Sequence, residues 1–80
     1  MSHETKSSEA KLVRMANQIS QFFVTQSGTP PATGTAIHIR KFWDPRMRNA
    51  IIAHLDAGGD GLEPVARQAV EKLKQESLNG

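Results

Sequence analysis

The stretch "RKFWDPRMR", residues 40–48, concentrates side chains that recognise other molecules. It holds the single tryptophan, Trp43, beside Phe42, with Arg40, Lys41, Arg46 and Arg48 set against one carboxylate, Asp44. Tryptophan and arginine are the side chains most enriched among binding hot spots. Arginine also offers a planar fork to carboxylate or phosphate, which lysine does not. A partly exposed Trp43 beside Arg46 would anchor in a partner's pocket. The plainer reading of the same residues is a corner between two helices. Asp44 and Pro45 are then an N-cap and a first helical residue, and the arginines are solvated. The two readings combine if Asp44 and Pro45 build the corner while Arg40, Lys41, Phe42, Trp43, Arg46 and Arg48 face a partner.

Catalytic chemistry has little to work with. There is no cysteine, so the chain has no disulfide, no thiolate metal site and no sulfur ligand for an iron–sulfur cluster. His3, His38 and His54 are too widely separated for a zinc spacing. No nucleophile is paired by motif with a base and an orienting group. "GGDG", residues 58–61, lacks the Lys-Ser/Thr that follows in a phosphate loop and the strand that precedes it. Gly58 and Gly59 read instead as a helix stop.

A second polar set, Arg14 and Asn17, lies three residues apart in "KLVRMANQI" and shares one flank of a helix with Gln18. These side chains are partner candidates or simply solvated.

The elements that would position these groups follow from apolar periodicity. Leu12, Met15/Ala16, Ile19 and Phe22/Phe23 put one stripe on a helix over about 9–24, with Ser8 as its N-cap. "TQSGTPPATGT", 25–35, reads as a mobile loop, within which Pro30 or Pro31 would open the next helix. "TAIHIRKF", 35–42, alternates like a strand at Ile37 and Ile39. Nothing else in the chain reads as β, so a lone strand would leave its ladder unpaired, and a helix is the better reading. Asp44-Pro45 starts a helix over about 45–57 that Gly58-Gly59 ends. Pro64 starts another over about 63–76. The fold class expected is all-α: a bundle of about four short helices in one domain over 8–76, after a disordered segment 1–7 and before a frayed end 77–80. Each stripe must be covered by another helix or by a partner.

Composition sets the scale. Eighty residues form one domain. A core of this size is worth about 3–5 kcal/mol, and small domains commonly draw on disulfides, metals or partners for the rest. With cysteine absent, a partner protein is the leading source. A polar start without an apolar segment, and no span of about 20 apolar residues, point to the cytoplasm. The formal charge of +2 is mild. A basic corner between short helices also suits a small nucleic-acid-binding module. Against that, the helix after Arg48 is apolar and carries no array of base-reading side chains.

The segments "KLVRMANQISQFF" (11–23) and "HIRKFWDPRMRNAIIAHLDAGGDGLEPVARQAV" (38–70) resemble the delta subunit of soluble NAD-dependent formate dehydrogenases, most specifically in "KLVRMANQI" and "KFWDPRMR". The resemblance implies a small non-catalytic component of a multisubunit molybdenum enzyme that oxidises formate. In such a complex the large alpha subunit holds molybdopterin guanine dinucleotide and iron–sulfur clusters, and other subunits carry FMN and receive NAD. The delta subunit would assist assembly, cofactor insertion or stability by docking on the alpha subunit. The cationic corner would meet acidic groups of that subunit, or the phosphates of the molybdenum cofactor during insertion. Protein docking is preferred, since it needs no exposed cofactor. In isolation the uncovered apolar faces would favour a homo-oligomer.

Overall fold

The structure, a computed structural model, describes the backbone of residues 3–79 and the side chains of residues 8–78. It contains four helices: α1 (His3–Val24), α2 (Pro31–Phe42), α3 (Pro45–Asp56) and α4 (Pro64–Asn79). No strand occurs among the described residues. The all-α reading therefore holds, and "TAIHIRKF" is helical.

Helix starts follow the proline punctuation. Pro31, Pro45 and Pro64 each stand at the first residue of a helix, where the missing N–H costs nothing. Helix α3 ends in a paired glycine turn. The N–H of Gly58 donates to the Leu55 carbonyl at 3.0 Å and that of Gly59 to the His54 carbonyl at 2.9 Å, the two bonds of a Schellman motif. Both glycines hold positive φ, 123° and 68°. Arg67 of α4 seals this turn by donating to the Gly58 and Gly59 carbonyls at 3.0 and 3.1 Å.

Three boundaries differ from expectation. Ser8 lies inside α1 and does not cap it. The disorder expected over 1–7 falls on residues 1 and 2, outside the described residues, and on 3–7, whose side chains are also outside them. The loop after α1 covers only 25–30, because α2 starts at Pro31. Ala32, Gly34 and Thr35, within the segment 25–35 expected to be loop, are buried in α2. A Cβ at Gly34 would stand 2.6 Å from the Phe23 ring, so glycine allows α1 and α2 to approach there. Helix α4 continues to Asn79, past the expected end at 76, and Gly80 lies outside the described residues.

One apolar cluster joins all four helices. Leu12, Val13 and Ala16 come from α1, Ala36 and Ile39 from α2, Ile51 from α3, and Ala66, Ala69, Val70 and Leu73 from α4. Trp43 and Leu62 close it from the connecting turns. Helices α1 and α4 each touch all the others, whereas α2 packs chiefly on α4 and α1. Helices α2 and α3 are thus set apart across the bundle, joined by the corner at 43–44.

Candidate functional site

At the corner, Asp44 takes the N-cap of α3 in extended conformation, and its Oδ1 accepts from the Met47 N–H at 2.9 Å. An extended backbone is what a residue before proline prefers. One turn later, Arg48 points backwards. Its Nη1 donates to the Trp43 carbonyl at 2.7 Å and to the Arg40 carbonyl at 3.1 Å. These carbonyls belong to the end of α2, where no helical donor remains and the dipole is negative. Arg48 is therefore an internal brace. Arg40 reaches across to Glu76 of α4 at 3.2 Å, with both side chains well exposed. Such surface pairs contribute little, about 0–1 kcal/mol.

Trp43 is 4% exposed, so the expectation that its ring protrudes as an anchor is corrected. Ala36, Ile39 and Trp43 follow one another at steps of three and four, and the indole continues the buried stripe of α2 past its last turn. Lys41, Phe42 and Arg46 stand open to solvent, as Arg40 does, with Phe42 at 72% exposure.

On α1, Asn17 is also committed within the molecule. Its Nδ2 donates to the Gly61 carbonyl at 3.0 Å and its Oδ1 accepts from the Glu63 N–H at 2.9 Å. One side-chain amide thus ties α1 to the turn that leads into α4, and Gln21 adds a bond to the Glu63 carboxylate. Asn17 is a brace here, not an open partner contact. Arg14 is exposed and borders a shallow depression with Glu9, His54 and Asp60. There the His54 Nε2 lies 2.7 Å from the Asp60 carbonyl, which can only accept, so this nitrogen carries the proton.

The structure brings two distant stretches together along α1 and the start of α3. Lys11, Leu12 and Met15 face Arg46, Met47 and Ala50 across a groove of about 360 Å³. Its floor is apolar and includes two methionines, which adapt their shape to what they touch. Its lips carry Lys11 and Arg46, neither in an ion pair among the described residues. The side chains present do not fit a resident molybdenum or iron–sulfur site. No thiolate exists, and no three His, Cys, Asp or Glu side chains gather to hold a metal among the described residues. The groove suits an apolar segment flanked by carboxylates.

A family model for the NADH-dependent formate dehydrogenase delta subunit FdsD matches residues 11–70. The chain belongs to this family. The match includes both walls of the groove, the buried Trp43 and the glycine turn. No curated protein and no solved structure matches the chain. As a formate dehydrogenase delta subunit, the protein is an accessory chain of an enzyme complex with further subunits. No helix among the described residues is long and apolar enough to cross a membrane.

Of the groove residues in this delta subunit, sequence reasoning found Arg46 and missed Lys11, Leu12, Met15, Met47 and Ala50. A signal was present, since Lys11 and Met15 stand four apart on the stripe side of α1. The partner wall, 31 or more residues away in sequence, was not legible from that spacing.

Proposed function

We propose that this delta subunit is a non-catalytic accessory chain of a molybdenum-containing, NAD-dependent formate dehydrogenase. It docks on the large alpha subunit and assists assembly, cofactor insertion or stability in the cytoplasm. The groove carries this reading: its walls come from 11–15 and 46–50, both within the family match, and its two cationic lips border an apolar floor. Lys11, Met15, Arg46 and Met47 form the contact, with Lys41 and Arg14 as outlying cations. Molybdopterin guanine dinucleotide, iron–sulfur clusters, FMN and NAD are the business of the other subunits.

Direct contact with cofactor phosphates is the weaker variant of this proposal. Arg48 is spent on two carbonyls and Arg40 pairs with Glu76, which leaves Arg46 as the one uncommitted arginine of the corner among the described residues. The same commitments weaken a nucleic-acid reading, which needs several free cations along one face.

The test is co-purification of the alpha subunit with the Lys11→Glu/Arg46→Glu double variant. Both side chains are exposed, so helical content by circular dichroism stays unchanged. Recovery of the alpha subunit falls about tenfold or more, the loss from about 1.4 kcal/mol of contact energy. Undiminished recovery at unchanged fold overturns the proposal.

A further inference from the structure

The end of α1 and the outer side of α2 carry a row of rings. Phe22 and Phe23 meet edge to face at 5.2 Å, Phe23 meets His38 at 6.3 Å, and His38 lies 4.7 Å from Phe42. The two ends of the row are among the most open large apolar side chains, Phe22 at 57% and Phe42 at 72% exposure. The row is seated by construction. Gly34 leaves the space that the Phe23 ring occupies, and His38 and Phe42 stand four apart on α2. Contiguous exposed apolar surface of this kind marks an interaction site, whereas single exposed residues do not.

Charge says what covers it. Residues 10–43, which include the described α1 side chains from Ala10 onward, the connecting loop and the whole of α2, contain no Asp or Glu. Their cations are Lys11, Arg14, Arg40 and Lys41, and Lys41 borders the row three residues from His38. Of the nearby carboxylates, Glu76 of α4 pairs with Arg40, and Glu63, in the turn before α4, accepts from Gln21. From the corner, the Asp44 carboxylate caps α3.

We infer that the row Phe22–Phe23–His38–Phe42 is a second docking surface, and that it takes an acidic segment with bulky apolar side chains from another subunit of the complex. The inference rests on the reading of this chain as a subunit but not on the role of the groove. A second copy of this chain fits poorly. A two-fold contact sets each face against itself, and the carboxylates that border this face, Asp44 and Glu63, already accept hydrogen bonds within the chain. Single-stranded nucleic acid fits poorly too. It needs open ring faces with cations tracking the backbone, and these rings already pack on one another beside one lysine.

The test places the photo-crosslinking residue p-benzoylphenylalanine at position 42, and separately at position 22, of the full chain in the native complex. Irradiation is followed by mass mapping of the adduct. The expected adduct lies on a segment of a partner subunit with an excess of Asp and Glu among large apolar residues. Lys41→Glu lowers its yield several-fold, and Lys41→Arg does not. An adduct on a second copy of this chain, on nucleic acid or on a segment without acidic residues overturns the inference, as does no adduct at either position. A yield indifferent to Lys41→Glu overturns the acidic assignment. If the Lys11→Glu/Arg46→Glu variant loses the alpha subunit while positions 42 and 22 give no adduct, the groove proposal stands and this one falls.

Discussion

Arg48 holds the carbonyl of Trp43 at 2.7 Å, five residues back across the corner. The bond joins the start of α3 to the end of α2, two helices that otherwise lie apart in the bundle. A guanidinium that sequence reasoning assigns to a partner therefore braces the corner from within. Arg48→Ala is expected to cost about 1–2 kcal/mol, the low end for bonds from a charged donor, because the site is partly open to water. In a domain of this size the melting temperature drops by about 4–8 °C for each kcal/mol. Arg48→Lys recovers only part of this, since an ammonium lacks the fork. Thermal denaturation of the three proteins checks the order.

Trp43 and Phe42 are neighbours with opposite fates. Trp43→Ala opens the core and is expected to cost about 3–5 kcal/mol, enough to unfold much of the population. Phe42→Ala changes stability by no more than about 0.5 kcal/mol, as exposed substitutions do. Urea titrations monitored by circular dichroism measure both. A large loss from Phe42→Ala would place its ring in the core.

Asn17 tests the stitch between α1 and the turn before α4. Asn17→Ala strands the Gly61 carbonyl and the Glu63 N–H near solvent and is expected to cost about 1 kcal/mol. Amide exchange at Glu63 quickens in this variant. Asn17→Asp keeps the acceptor, so protection at Glu63 persists while the bond to Gly61 is lost.

Thr35 is fully buried, and its Oγ1 has no hydrogen-bond partner among the described residues. An enclosed hydroxyl without a partner is a cost that a methyl group removes. Thr35→Val is expected to stabilise the protein by up to about 1 kcal/mol. A lower urea midpoint for this variant would mean that the hydroxyl has a partner in solution.

Gly59 is held at φ 68°, and a Cβ there would meet the Arg67 guanidinium at 2.9 Å. Gly59→Ala combines left-handed strain of about 1–2 kcal/mol with displacement of the arginine that seals the turn. Gly59→Ala in an Arg67→Ala background is expected to lose only the strain. A double-mutant cycle in urea separates the two parts.

Much of the fold was legible because its signals are local. Proline at a first helical turn, Asp44 before Pro45 and Gly58-Gly59 after α3 act through the backbone within a few residues. Apolar steps of three and four mark the buried stripe by the geometry of a single helix. The absence of cysteine excludes thiolate ligands whatever the fold. The family resemblance was carried by "KLVRMANQI" and "KFWDPRMR", and both lie in the matched span.

Which of those side chains remain available to a partner was decided by tertiary structure alone. Trp43 and Phe42 are adjacent and both apolar. Only the cover that the other helices give the Ala36–Ile39–Trp43 stripe sends one inward and leaves the other out. Arg48 and Asn17 look free in sequence, but each is spent on carbonyl or amide groups that folding brings to it. The groove needs residues 11–15 beside 46–50, and the row of rings needs 22–23 beside 38–42. Helical periodicity fixes neighbours three and four apart. It says nothing about which helix comes to lie on which, because that is settled by how four stripes together exclude water.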